Sequence, residues 1–137
     1  MKKNKIIYWI ATGILGAMML FSAFGYFANE EMKAAFVHLG FPGYFRIELA
    51  IAKIIGALVL LIPFIPKEIK DMAYVGFAIT FISAFIAHTS SGDPLSVAIM
   101  PIIFLGILVV SFIYSNKYKA ISNVGNIKPQ KEIFDFK

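Results

Sequence analysis

The sequence predicts an all-α fold, a left-handed four-helix transmembrane bundle, and three observations carry that prediction. Of 137 residues, 59% are apolar and 15% are charged, against about 45–50% and about 25% in soluble domains. Mean hydropathy is +0.78, and a chain this short has too much surface to hide that much apolar matter. The apolar residues also fall into four segments, each close to the roughly 20 residues a spanning helix needs. Lipid cannot satisfy backbone polar groups, and the period-two alternation of barrel strands is absent, so these segments read as helices. An ordinary cytosolic enzyme, a disordered chain and a nucleic-acid binder with a broad basic face are excluded.

One domain, residues 1–115, is expected to hold helices at about 6–28, 44–65, 72–90 and 95–115, followed by a polar, lysine-rich cytoplasmic tail, 116–137, expected to be mobile. The first segment, Ile6 to Ala28, is uncharged. It is too long for a signal-peptide core, and no small-x-small cleavage site follows it, so it reads as a retained span. The outer loop after it has internal order. Asn29 is placed to cap a helix whose first turn holds Glu30 and Glu31, where the helix dipole favours acid. Met32, Ala35, Phe36 and Leu39 share one face, and Gly40 and Pro42 stop the run. The reading is a short amphipathic helix that lies on the membrane surface or caps the bundle.

The later loops are short, Pro66 to Asp71 and Thr89 to Pro94, which makes the helices they join antiparallel neighbours. Asp93 before Pro94 reads as an N-cap with proline at the first helical position. Pro101 should kink the fourth helix. Lysines fix the orientation. Lys2, Lys3 and Lys5, then Lys67 and Lys70, then Lys117, Lys119, Lys128, Lys131 and Lys137 lie on one side, against Lys33 alone in the opposite loops. Both termini are therefore expected in the cytoplasm, and the setting is a cell membrane, bacterial inner membrane by preference. Trp9 and the six tyrosines lie near segment ends, as interfacial anchors do. The 14 phenylalanines read as lipid-facing bulk.

The chain has no cysteine, and its two histidines, His38 and His88, leave little for a metal. Thiolate catalysis, disulfides and iron–sulfur clusters are excluded. No dinucleotide, phosphate-loop, zinc-protease or serine-nucleophile motif occurs, so no cofactor is evident from the residues.

Ionisable groups inside a membrane default to a functional reading. Counted from Lys67 at about 1.5 Å per residue, Glu48 lies about 28 Å away and Lys53 about 21 Å; His88 lies about 26 Å from Asp71. Glu48 and His88 thus reach similar depth, with Arg46 and Asp93 at the rim. On the second helix, Ile47, Ile51, Ile54, Leu58, Leu61 and Ile65 form a bulky face suited to lipid. Glu48, Ala52 and Gly56 run along one flank, and Arg46, Ala50, Lys53 and Ala57 along the other. Gly76, Thr80, Ser83 and Ala87 form a small face on the third helix, and Gly13 and Ala17 a small pair on the first. The candidate site is therefore an outward-facing polar pocket of Arg46, Glu48, Lys53, His88 and Asp93. In it Glu48 and His88 exchange a proton or hold a polar head group, and Arg46 and Lys53 balance an anion. The structural alternative has Arg46 and Glu48 at the interface, Lys53 snorkelling outward and Asp93 serving only as a cap. His38 reads as solvated.

A set of ordered motifs adds a resemblance. Trp9 opens a glycine-spaced helix. Leu39-Gly40-Phe41-Pro42 precedes the second helix, which carries Lys53, Gly56-Ala57, Leu60-Leu61 and Pro63. Lys70-Asp71-Met72-Ala73-Tyr74 with Gly76-Phe77 opens the third helix, and Ala87-His88 and Gly92-Asp93 close it. From about Trp9 to Ser115 the chain resembles the DoxX-like family of small four-helix membrane proteins. That resemblance implies a link to quinone-dependent redox work, with quinone as the cofactor and an oxidoreductase as the partner, although many members have no assigned activity. The competing readings are a small-molecule transporter and a lipid-binding or assembly protein without chemistry. The lysine bias opposes a dual-topology transporter. The bilayer itself is the first partner, no nucleic acid is expected, and four short helices invite a homo-oligomer.

Overall fold

The structure is a computed structural model that describes residues 2–126, with side chains through residue 117. Six helical elements follow in order: α1 (Lys2–Ala28), α2 (Glu30–His38), α3 (Gly43–Leu61), α4 (Lys67–Ser90), α5 (Leu95–Ala98) and α6 (Met100–Asn126). Lys128, Lys131 and Lys137 of the expected tail lie outside the described residues, and the tail between 116 and 126 continues α6 as helix.

The boundaries follow from local chemistry. Asn29 caps α2 as expected: its side-chain oxygen accepts from the backbone N–H of Glu31 at 2.8 Å and of Met32 at 3.4 Å. Gly40 then turns the chain at φ +84°, a conformation that favours glycine. α3 ends at Leu61, four residues before the expected limit, because Ile62 precedes Pro63 and is pushed to extended backbone (φ −80°, ψ 119°). α4 starts at Lys67, before the apolar run begins, because Pro66 sets its entry. The expected kink in the last helix is a break at Ile99. Pro101 has no N–H for the carbonyl of Val97 and its ring crowds that carbonyl. The Ile99 carbonyl instead accepts from Ile102 and Ile103 at 3.0 and 3.1 Å, so the rod continues. Asp93 is not the N-cap. Pro94 occupies that position without a side-chain bond, and the Asp93 carboxylate is engaged elsewhere.

The long helices form a ring. α1 packs on α3 and α6, and α4 packs on α6 and more lightly on α3, so α1 and α4 lie on a diagonal. Leu15, Met19, Ala57, Leu60, Tyr74, Phe77, Phe81 and Leu108 fill the centre. The buried stripe of α3 is Ala50, Lys53, Ala57 and Leu60, whereas Glu48 and Ala52 of the other flank are exposed. Ile47, Ile51 and Leu58 face out as expected, but Leu61 turns in against Gly16. A Cβ at Gly16 would lie 2.7 Å from the Leu61 Cγ, whereas one at Gly13 would meet nothing within 4 Å. The close approach of α1 is therefore at Gly16, not at the Gly13/Ala17 pair.

Two further expectations are corrected. The inward face of α4 is bulky, with Lys70, Tyr74, Phe77 and Phe81, while Gly76 and Ser83 of the small face are exposed. Large rings are needed there to fill the diagonal gap to α1. Phe77 and Phe81 stack at 6.1 Å inside the core, so the phenylalanines are not all outward bulk, although Phe21, Phe24 and Phe64 are exposed.

Large hydrophobics cover the outside, among them Ile10, Phe24, Val75 and Ile79. Such a surface suits lipid and not water. Lys2–Ala28, Lys67–Ser90 and Leu95–Lys117 are each long and apolar enough to cross a membrane. α3 is 19 residues long but carries Arg46, Glu48 and Lys53, which set it apart from those three.

Candidate functional site

Arg46 and Lys53 lie two turns apart on the inward face of α3, and both reach α1. The Arg46 guanidinium donates to the backbone carbonyl of Tyr26, in the last turn of α1, where a cation also complements the helix dipole. The Lys53 Nζ donates to the Ser22 hydroxyl at 3.0 Å and to the Tyr26 hydroxyl at 2.5 Å. It also sits 4.2 Å from the centre of the Tyr26 ring. Lys53 is only 6% exposed, so it does not snorkel outward. Its partners are neutral: among the described residues no carboxylate lies within ion-pair distance of it.

Lys53 also lines a cavity of about 210 Å³ between α3 and α4, with Leu49, Ala52, Gly56, Ala73, Gly76, Phe77 and Thr80. The small residues of the two helices meet here. They leave an open groove because α3 and α4 pack only lightly. Phe77 closes its floor; a Cβ at Gly56 would lie 2.8 Å from that ring. Lys53 is the one charged residue of this lining, and its Nζ is turned to Ser22 and Tyr26 of α1. An ammonium has three donors, and two are used on α1.

His88 and Asp93 come together as the sequence suggested, and His38 joins them. The His88 Nδ1–H donates to one Asp93 oxygen at 2.6 Å and the His38 Nε2–H to the other at 2.8 Å. These bonds, first from His88 and then from His38, hold the Asp93 carboxyl below its ordinary range. The cluster ties the last turn of α2 to the last turn of α4. Gly92, at φ +77°, swings Asp93 back toward both rings. His38 was read as solvated; its position in the last turn of α2 was the signal that it could reach a neighbouring loop. Among the described residues no group of histidine, cysteine and carboxylate side chains is arranged to hold a metal.

Glu48 is not part of either cluster. It is exposed on α3 and, among the described residues, makes no hydrogen bond or ion pair. The five candidates therefore divide. Arg46 and Lys53 bind α1, His88 and Asp93 clasp α2, and Glu48 faces out.

A third polar cluster was missed by the sequence reading. At the end of the bundle away from α2, the Ser111 hydroxyl lies 2.6 Å from that of Thr12 and 2.7 Å from that of Tyr74. Lys70, 2% exposed, donates to the Tyr8 hydroxyl at 3.3 Å and to the Leu60 carbonyl at 3.4 Å. The available signal was polar residues at i, i+4 on three apolar helices: Tyr8 and Thr12, Lys70 and Tyr74, Ser111 and Ser115. Lys70 on the Leu60 carbonyl repeats what Arg46 does at Tyr26. Each is a cation from the first turns of one helix placed on a C-terminal carbonyl of a long helix earlier in the chain.

No curated protein and no solved structure matches the chain. The DoxX-like family matches over residues 10–111. That span takes in α1 from its third turn through α5 and the first part of α6, with the groove, the Asp93 clasp and Ser111 inside it. The motif order that suggested the resemblance thus has its counterpart in the family match, and this chain belongs to the DoxX-like family.

Proposed function

We propose that the chain is a four-span membrane protein, with both termini cytoplasmic, that holds a lipid-borne molecule in the groove between α3 and α4. The groove is the observation that carries this reading. It lies between two helices of the bundle, and its lining is mostly apolar, with Lys53 and Thr80 as the polar residues. A molecule dissolved in the bilayer could enter it sideways without crossing water. Ligand sites of this kind are apolar clefts with a small number of placed polar groups.

Such a fold makes α3 the fourth span despite its three charges. Lys53 is carried inside the bundle, Arg46 is spent on a carbonyl, and Glu48 is only five residues from the helix start, near the interface. The α2 helix caps the outer end, with Phe36 against the Tyr26 ring at 4.7 Å.

Family membership favours a second role, as a membrane subunit or accessory partner of a quinone-linked redox system. A quinone fits the groove in part. The apolar walls suit its ring, but the Lys53 Nζ bonds Ser22 and Tyr26 of α1, and no polar group is seen placed for a carbonyl oxygen among the described residues.

The test is purification of the tagged full-length protein from its native membrane in a mild non-ionic detergent, followed by mass spectrometry of bound lipids and proteins. A lipid-soluble molecule recovered with the wild type and lost from Ala52→Phe, which fills the groove, is the expected result. A co-purified oxidoreductase would add the redox role. A wild-type and an Ala52→Phe sample with identical bound molecules would overturn the groove as a ligand site.

A further inference from the structure

We infer that α2 is a latched lid: the bond from His38 to Asp93 holds it shut, and its opening admits water and small hydrophilic solutes to the Lys53 ammonium from that end of the bundle. The lid acts on the α1 side of Lys53, where its Nζ lies, and it stands whether or not the groove between α3 and α4 holds a molecule.

The attachment of α2 is the first argument. The helix is nine residues long, and Phe36 is its one buried residue. Little apolar area holds it, which is the condition under which a segment opens locally. Both of its ends are joints. Asn29 alone separates it from α1, and Gly40, at φ +84°, opens the turn that leads to α3 at Gly43. A hinged swing needs only such terminal residues to change conformation. Its tie to a distant part of the chain is polar: the His38 Nε2–H donates to Asp93, 55 residues on, at 2.8 Å. The His38 side chain is 55% exposed. A bond at the surface is worth little, and this one can break without unfolding a helix.

What the lid covers is the second argument. The Phe36 ring stands edge-on to the Tyr26 ring at 4.7 Å. The Tyr26 hydroxyl in turn accepts from the Lys53 Nζ at 2.5 Å. Phe36, Tyr26 and Lys53 thus form one column that runs from α2 into the bundle. Met32 lies over Gly25 beside it; a Cβ at Gly25 would lie 2.5 Å from the Met32 sulfur. Lifting α2 carries Phe36 and Met32 away together, and Tyr26 and then Lys53 meet water. Hydration favours an ammonium, so water that reaches Lys53 offsets part of the cost of unseating Phe36.

The experiment uses the full-length protein in lipid nanodiscs with a Ser22→Cys substitution, since the chain has no cysteine of its own. Ser22 bonds Lys53, so a thiol there reports access to the ammonium. The probe is 2-sulfonatoethyl methanethiosulfonate, a charged reagent that stays in water, and the rate of modification is read. That rate follows the open population where closing is fast. Asp93→Ala and His38→Ala should each raise it at least about threefold, as the loss of one hydrogen bond does. His88→Ala leaves the His38 bond in place and should change it less than about twofold. Thr12→Cys, fully buried at the other end of the bundle, should stay unreactive in every background. Equal rates in the Ser22→Cys parent, Asp93→Ala and His38→Ala would overturn the lid. An increase in His88→Ala that matches His38→Ala would overturn His38 as the latch. A Thr12→Cys that gains reactivity in the same backgrounds would show a loosened bundle in place of an opened lid, and would overturn the inference as well.

Discussion

Removing the Ser111 hydroxyl tests the polar cluster that joins three helices. Ser111 is fully buried on α6 and bonds Thr12 of α1 at 2.6 Å and Tyr74 of α4 at 2.7 Å. In Ser111→Ala both bonds go, and the two partners turn to other groups. Threonine in a helix turns its hydroxyl readily to a carbonyl one turn back, so the Thr12 hydroxyl can donate to the carbonyl of Tyr8. Tyr74, 3% exposed, keeps the hydroxyls of Thr12, Ser115 and Tyr8 as neighbours. The cost is therefore that of a lost buried hydrogen bond, about 0.5–1.5 kcal/mol. Polar contacts between membrane helices average less than about 1 kcal/mol, which places the expectation at about 0.5–1 kcal/mol. Unfolding of the purified protein in detergent, by heat or by denaturing surfactant, measures it. A double-mutant cycle with Thr12→Val should show a coupling of at least about 0.5 kcal/mol. A Ser111→Ala protein as stable as wild type, with strictly additive Thr12→Val, would refute the claim that these hydroxyls hold α1, α4 and α6 together.

Three other outcomes follow from the same geometry. Gly16→Ala should destabilise by about 1–3 kcal/mol, because its Cβ would lie within 2.8 Å of three Leu61 carbons; Gly13→Ala, with open space, should be neutral or stabilise by up to about 1 kcal/mol, and the pair read by thermal unfolding separates packing from helix propensity. Arg46→Met should cost about 1–2 kcal/mol by losing its bond to the Tyr26 carbonyl at the α1 C-terminus, measured the same way. The folded-state pKa of Asp93 is depressed by its histidine partners, so its contribution is complete above the ordinary value of 3.8 and is lost as pH falls through the lower folded value. Amide exchange of α2 should therefore rise on acidification below that range in the wild type. It should change little over the same range in Asp93→Asn.

Much of the fold was legible because lipid removes alternatives. A run such as Ile6 to Ala28 has no stable state in a membrane but helix, and Asn29 and Gly40 mark ends by chemistry that acts within a few residues; Pro63 does the same, but the expected helix ran past it to residue 65. The inward stripe of α3 was legible too, since Ala50, Lys53 and Ala57 share one face whatever they touch. Partner choice was less so. Nothing local distinguishes Gly13 from Gly16, and only the crossing with α3 decides which meets Leu61. The small residues of α4 suggested an inward face, but the diagonal separation of α1 and α4 called for Tyr74, Phe77 and Phe81 at the centre. Glu48 and His88 were matched by depth alone. Depth does not give azimuth, and in the structure one faces out while the other turns to Asp93. His38 and Asp93 are 55 residues apart, a pairing that requires α2 to fold back over the bundle end.

The groove can face lipid only if α3 crosses the membrane. The chain has no cysteine, so single cysteines report position directly. Val37→Cys, in exposed α2, and Glu68→Cys, in the first turn of α4, bracket α3. Labelling by a membrane-impermeant maleimide in intact cells is the measurement. Residue 37 should label from outside, and residue 68 only after the membrane is opened. Equal labelling of both from one side would mean that α3 does not cross, and it would contradict the four-span bundle and the lipid-facing site built on it.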